Sequence, residues 1–380
     1  CARSEKRMSH GQEFSARVHA YTREHSVEEI VESANTLRIP CVPVGDVRNV
    51  TNFDHLVERC VFRDHPEGFM APRPPILYGD HDPEPPRLAP RLGEHRGWVT
   101  ERVSSAGTGE ELPLAGIRIL DLTAFWAGPF ATNLLRLLGA ELVKVESVQR
   151  PDMMRFSSVV GRSPLWEFSP VFHGSNAGKT AITLRLDDPE GRRLAERLVT
   201  WADVVVENFS PRVMEQLGLS WDRISELNPS AVMVRMPAFG LDGPWKNRTG
   251  FAMTIEQVSG LAWLTGHADG PPIVPRGVWD PLGGMHAVLG TLCALTQRER
   301  TGRGQQVEVP LVEVGLNAAA EQVVEWSAYG HLLERSGNRS AVSGVRGLYP
   351  SSGDDSWVAV SIGHDDSRCC LLYTSDAADE

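Results

Sequence analysis

The stretch 117-IRILDLTAFWAGPFATNLLRLLGAELVKVES-147 decides the fold. Its opening, IRILDLT, is a short apolar run of the kind that forms a buried strand. GPFATNLLRLLGA then sets Ala131, Leu134, Leu135 and Leu138 at helical spacing, and ELVKVES returns to strand character. Strand, helix and strand in this order make a βαβ unit, whose two strands run parallel through a right-handed crossover.

Working outward, the same alternation recurs. DPEGRRLAERLVTWADVVVENF (188–209) is a helix opened by Asp188 before Pro189, followed by a strand. A short helical stretch ends at Asn228-Pro229, and SAVMVRMPAF (230–239) supplies another strand. GGMHAVLGTLCALTQRERTGRGQ (283–305) reads as a helix with Met285, Val288, Leu289, Leu292 and Leu295 on its apolar stripe. The economical assembly is α/β, a Rossmann-like doubly wound parallel sheet. Before it, residues 14–70 carry a helix, SVEEIVESANTLRI, capped by Ser26 with Glu29 three residues on, as part of a small helical and strand unit. Residues 71–113 are dense in proline, which favours extended, solvated backbone, and read as a linker or wrapping segment.

Bulk properties narrow the function. A formal charge of −11 with no basic patch argues against nucleic acid and anionic membrane as partners. No apolar run is long enough to span a bilayer, and the opening residues lack signal-peptide order, so a soluble cytoplasmic protein is expected. The six cysteines form no CxxC pair or zinc-type spacing, so neither a disulfide framework nor a metal is expected. HGSNAGKT (173–180) resembles a phosphate-binding loop but has one residue too few between its glycines. TAFWAGPF lacks the GxGxxG of a dinucleotide site, and no HExxH or GxSxG occurs. His286 reads as a packed histidine.

GVWDPLGGMH (277–286) is the ambiguous segment. By itself Asp280 before Pro281 is a good helix N-cap with proline at the first helical position. A carboxylate at the positive end of a helix would also stay ionised at neutral pH, as a nucleophile must. Gly283 and Gly284 would admit a close approach, whether of substrate or of another helix.

Five segments in order resemble the family III CoA-transferases, also called the CaiB/BaiF family. They are residues 114–146, GKTAITLRLDDPEGRRLAERLVTWADVVVENFSPRVMEQLGL (178–219), LNPSAVMVRMPAFGLDGPW (227–245), DGPPIVPRGVWDPLGGMHAVLGTLCAL (269–295) and TGRGQQVEVPLVE (301–313). IPCVPVGDVRNVTNFDHLVERCVF (39–62) and the proline-rich segment after it resemble the end of the same family's chain, where its small α+β domain closes. Tail before head implies a tandem fusion, with a frame-fused artefact of neighbouring genes as the alternative: residues 1–70 from a first module, 71–113 between, and 114–369 the large part of a second. The last eleven residues, CLLYTSDAADE (370–380), read as a translated sequencing adapter, and the whole as a fragment.

The resemblance implies an activity: CoA moves between an acyl-CoA thioester and a carboxylic acid through a covalent intermediate on Asp280, without metal. It places coenzyme A against Phe125, Trp126, Ala127, Leu184, Asn208 and Phe209. It also implies an interlocked dimer, which a fusion would make an intramolecular pseudo-dimer. Departures are Ser147 for a frequent basic residue, NFSPR with Arg212 displaced, and Ala252 in TGFAM where the family has an acid near the nucleophile. Two alternatives stay open, a catalytically silent module and an acyl-CoA racemase; the latter is disfavoured because Phe251 replaces its proton-moving histidine.

Overall fold

A computed structural model of the chain describes residues 11–79, 81–83, 85–89, 112–157, 164–339 and 343–363. The proposed adapter residues and most of the expected linker, 90–111, lie outside them.

A seven-stranded sheet is built from β3 (Leu77–Tyr78), β4 (Arg118–Asp121), β5 (Glu141–Glu146), β6 (Thr180–Thr183), β7 (Val204–Glu207), β8 (Val232–Arg235) and β9 (Gln306–Glu308). Its order is β3-β9-β8-β7-β4-β5-β6, parallel except for β3, which pairs antiparallel with β9 at the edge, Leu77 opposite Glu308. Without β3 this is the doubly wound order 3-2-1-4-5-6, with strand order reversing between β4 and β7. VVVE and VMVR are buried at every residue because a parallel sheet is covered on both faces.

The period-2 alternation of the strands divides the core in two. Ile119, Val204, Val206, Val232 and Val234 face one layer, with α4 (Ala127–Leu137), α11 (Trp279–Thr301) and α12 (Leu311–Ala318). Leu120, Val205 and Met233 face the other, with α6 (Pro189–Trp201) and α8 (Trp221–Leu227). As the sequence implies, α6 begins at Asp188, whose side chain accepts from Glu190 N. The shorter helices are α5 (Pro170–Asn176), α7 (Pro211–Gln216), α9 (Ala252–Val258), α10 (Leu261–Leu264) and α13 (Ala320–Tyr329). None of the described helices is long and apolar enough to cross a membrane.

Residues before the large unit contribute to its core. After α1 (Gly11–Glu24) and α2 (Val27–Thr36, with the expected Ser26–Glu29 capping box), α3 (Asp54–Glu58) and the hairpin β1 (Phe62–Asp64) with β2 (Met70–Pro72) follow. Val50, Leu56 and Val61 are fully buried in the same cluster as Val232 and Val234. Arg59 is buried and donates to Glu313 Oε1 at 3.0 Å and Glu308 Oε1 at 2.8 Å, with a further ion pair to Asp242. Arg73 clamps the same Glu313 with two bonds of 2.9 Å. A last hairpin, β10 (Ser343–Pro350) with β11 (Trp357–Gly363), forms its own two-stranded sheet.

The apolar stripe expected on α11 holds for Val288, Leu292 and Leu295 and is corrected at Met285 and Leu289. Met285 and Leu289 are 51% and 52% exposed, while Gly283, Gly284, Ala287, Gly290, Thr291, Ala294 and Leu295 are buried. α4 and α12 lie so close to α11 that only small residues fit between. A Cβ on Gly284 would stand 2.8 Å from Phe130 Cδ1 and 3.0 Å from Ala127 O; one on Gly283, 2.3 Å from Leu311 Cδ2. The two glycines therefore serve helix packing; Met285 and Leu289 are left outside, while Val288 and Leu292 pack against the core and Leu295 lies within it.

Candidate functional site

The loop after β4 sits at the reversal of strand order, where crevices open at strand carboxyl ends. Thr123, Ala124 and Phe125 in it are each held from below. Asp121, fully buried, accepts from Thr123 N at 2.9 Å and Thr123 Oγ1 at 2.5 Å through Oδ1, and from Thr132 Oγ1 at 2.8 Å and Lys179 Nζ at 3.0 Å through Oδ2. Burial alone would raise the Asp121 carboxyl, but Lys144 and Lys179 outweigh it and hold it down to about 2. Lys144 Nζ donates to Thr123 O at 2.7 Å. Asn208, after β7, brackets Ala124 with its side-chain amide, and Asp152 accepts from Phe125 N at 3.0 Å. These bonds over-determine Phe125, whose φ of +67° is costly for a residue with a side chain.

Lys179 settles the phosphate-loop likeness. Gly174 lies within α5, and Lys179 is consumed by Asp121, Thr132 Oγ1 (2.7 Å), Asn176 Oδ1 (3.0 Å) and Pro129 O (2.9 Å). It is a buried brace under the β4 loop, its ammonium lowered to about 8 by burial against the pull of Asp121.

Phe125 and Trp126 lean toward α9 and α11. The Phe125 ring meets Phe251 edge-on at 5.3 Å between centroids. A Cβ on Gly277 would come within 3.3 Å of the Trp126 ring and 3.5 Å of Ala252 Cβ. The structure thus gathers Phe125, Trp126, Ala127, Phe251, Ala252, Gly277 and the first turn of α11, which carries Asp280. Asn208 reaches this group through Ala124. Leu184 and Phe209 pack instead against the second core layer, with Phe209 N donating to Glu207 Oε2 at 2.7 Å. His286 Nδ1 bonds Leu282 O at 2.8 Å, the packed arrangement expected of it.

Asp280 is not the cap of α11. That helix begins at Trp279, so Asp280 and Pro281 are its second and third residues, and Val278 at the cap position makes no side-chain cap bond. The capping acceptor comes from another helix. Glu256 of α9, wholly buried, accepts from Gly277 N at 2.6 Å and Val278 N at 2.9 Å through Oε1. Arg276 and Gly277, at φ of +76° and +101°, turn the chain so that both amides face it. Asp280 is left half-buried, with no hydrogen bond to its carboxylate among the described residues. Burial, then the neighbouring Glu256 charge, raise its carboxyl from 3.8 to about 7. The expectation that the helix end alone would keep it ionised is therefore corrected: at neutral pH it is poised between its two states.

Sequence reasoning missed Glu256. Its signal is one acid inside the otherwise apolar run FAMTIEQVSGLAW (251–263), where a carboxylate is buried only if something holds it.

The model of CoA-transferase family III matches residues 1–96 and 114–375. Succinyl-CoA–D-citramalate CoA-transferase of Chloroflexus aurantiacus is 37% identical over 257 residues, which are 67% of this chain and 62% of that protein. Formyl-CoA:oxalate CoA-transferase of Streptomyces avermitilis is 36% identical over 57% of this chain and 52% of its own length. This chain therefore spans less than two thirds of these relatives. A CaiB/BaiF family protein from Brucella suis superposes with a TM-score of 0.62 at 30% identity, covering 71% of this chain and 72% of that one.

Proposed function

The chain belongs to CoA-transferase family III, and we propose that within it Asp280 is the covalent nucleophile of a transfer between an acyl-CoA thioester and a carboxylic acid. The observation that carries this reading is the state of Asp280. It is a half-buried carboxylate relieved of capping by Glu256, free of hydrogen bonds among the described residues, and three residues on from Gly277, which lies against the Trp126 ring.

A carboxylate oxygen of Asp280 attacks the thioester carbonyl carbon, the C–S bond breaks, and the electron pair leaves on the CoA sulfur. The thiolate then attacks the Asp280 carbonyl of the mixed anhydride, releasing the donor acid and leaving CoA as a thioester on Asp280. The acceptor carboxylate opens this thioester, and the returning thiolate takes the new acyl group, regenerating Asp280. One thioester is exchanged for another, so the sequence needs no ATP. Phe125, Trp126 and Ala127, with Leu184, Asn208 and Phe209, would meet the CoA, and Asn208 also holds the loop of the first three.

The order of segments fits the same reading. Residues 1–70 act as the tail of one module and 114–369 as the head of a second, with the Arg59 and Arg73 ion pairs and the shared core supporting their union as a pseudo-dimer within one chain. Incubation with succinyl-CoA followed by hydroxylamine should give a hydroxamate at Asp280, found by peptide mass spectrometry. A chain that transfers CoA with Asp280 unmodified, or with Asp280→Ala at full rate, refutes the assignment.

A further inference from the structure

We propose that Glu256 is the positioning residue of the Asp280 nucleophile: one buried carboxylate holds the 276–278 turn by two backbone amides and sets the charge beside which Asp280 reacts. This rests on the reading of Asp280 as the nucleophile. Glu256 stands one helical turn after Ala252 on α9, so both face the 277–278 backbone. The acid missing at Ala252 is thus replaced by an acid from the next turn, reaching the same stretch of chain.

A structural cap does not account for this residue. Capping needs an acceptor, and a neutral amide or hydroxyl provides one. Glu256 instead brings a full carboxylate into a solvent-free position and leaves Oε2 without a hydrogen-bond partner among the described residues. It does so beside a second carboxylate, although like charges and incomplete bonding both disfavour burial. The cost falls at the nucleophile, and it has a chemical return. By capping α11 itself, Glu256 leaves the Asp280 oxygens free, and its charge makes the Asp280 carboxylate more basic and so more nucleophilic once ionised.

Other charges near this turn are accounted for. Arg276 is exposed, His286 is tied to Leu282 O, and Glu313 on α12 is held by Arg59 and Arg73. Arg136, on α4, bonds Asn133 and lies against Gly178. Among the described residues, Glu256 is the charge that bears on Asp280.

The test is peptide-resolved labelling of Asp280 with a water-soluble carbodiimide and glycinamide across pH, since only the protonated carboxyl reacts. In the unsubstituted chain the labelling midpoint should lie near 7. Glu256→Gln keeps an acceptor for both amides and removes the charge. Its midpoint should fall by about one pH unit while its Tm holds within about 3 °C. Its Asp280 adduct with succinyl-CoA should form about threefold more slowly above pH 8, where Asp280 is ionised in both proteins, with KM unchanged. A midpoint that does not move overturns the proposal. If the variant does not fold, Glu256→Asp decides, since it keeps the charge and shortens the reach to the two amides: a slower Asp280 adduct supports positioning, and an adduct formed at the full rate overturns it. The nucleophile reading fails separately, through absence of any trapped adduct at Asp280 in a chain whose labelling midpoint still shifts.

Discussion

The side-chain amide of Asn208 brackets the backbone of Ala124, its Oδ1 accepting from Ala124 N at 2.9 Å and its Nδ2 donating to Ala124 O at 2.7 Å. Since β4 and β7 flank the reversal of strand order, this one contact ties together the two loops that wall the crevice. Asn208→Ala strands both groups of Ala124 at a cost of about 1–3 kcal/mol. Thermal unfolding should show a Tm lower by several degrees and, on the proposed reading of the loop, CoA affinity should fall as Phe125 and Trp126 lose their support. An unchanged Tm would mean the loop is held by Asp121 and Asp152 alone.

The small-residue face of α11 makes a contrasting pair of expectations. Gly284→Ala drives a methyl into Phe130 and the Ala127 carbonyl, so α4 and the loop 122–126 ahead of it must shift, with a loss of about 1–3 kcal/mol. Met285→Ser, one residue on but half-exposed, should change stability by less than about 0.5 kcal/mol. Denaturant titration of the two variants distinguishes this face from the expected large-residue stripe, for which the order would be reversed.

Glu313 joins the early part of the chain to the late part, receiving both Arg59 and Arg73 in a buried position. Glu313→Ala leaves two guanidinium groups short of their counter-charge and should cost about 3–5 kcal/mol. Asp242→Asn removes a partner of Arg59 whose carboxylate faces solvent, and should cost no more than about 1 kcal/mol. Limited proteolysis provides the readout: the Glu313 variant should release fragments from residues 42–78 that the Asp242 variant retains. Equal resistance would show that the apolar contacts of Val50, Leu56 and Val61 suffice.

Much of this was legible in the sequence because parallel strands buried on both faces are carried by apolar runs, as in Val204–Val206 and Val232–Val234. Asp188 before Pro189 and Ser26 with Glu29 were legible because caps are local. What escaped was set by distance along the chain. The face of α11 depends on how closely α4 approaches, a property of two helices that hydrophobic periodicity within one does not contain. The capping of α11 by Glu256 spans more than twenty residues and replaces a local cap, Asp280, that the sequence offered. Lys179 was one glycine spacing away from a phosphate loop, and only its four buried partners identify it as a brace.

Asp280 itself should weaken the fold, and the sign follows from its titration. Its carboxyl is raised to about 7 in the folded chain against about 4 when unfolded, so between these values the native state binds more protons than the unfolded one. Stability is then greatest below pH 4 for this group and falls as pH rises toward 7, beyond which the full cost of the buried charge is present. Asp280→Asn removes that charge with little change of shape. Allowing for the solvent that reaches a half-buried side chain, the variant should be more stable by about 1–2 kcal/mol at pH 8 and equal to the unsubstituted chain at pH 4. Scanning calorimetry at the two pH values reads the difference, and activity should be lost as stability is gained, the exchange expected where a carboxylate is held for reaction. A variant equally stable at both pH values would show that Asp280 is as well solvated in the fold as in the unfolded chain, and would remove the physical basis for its reactivity.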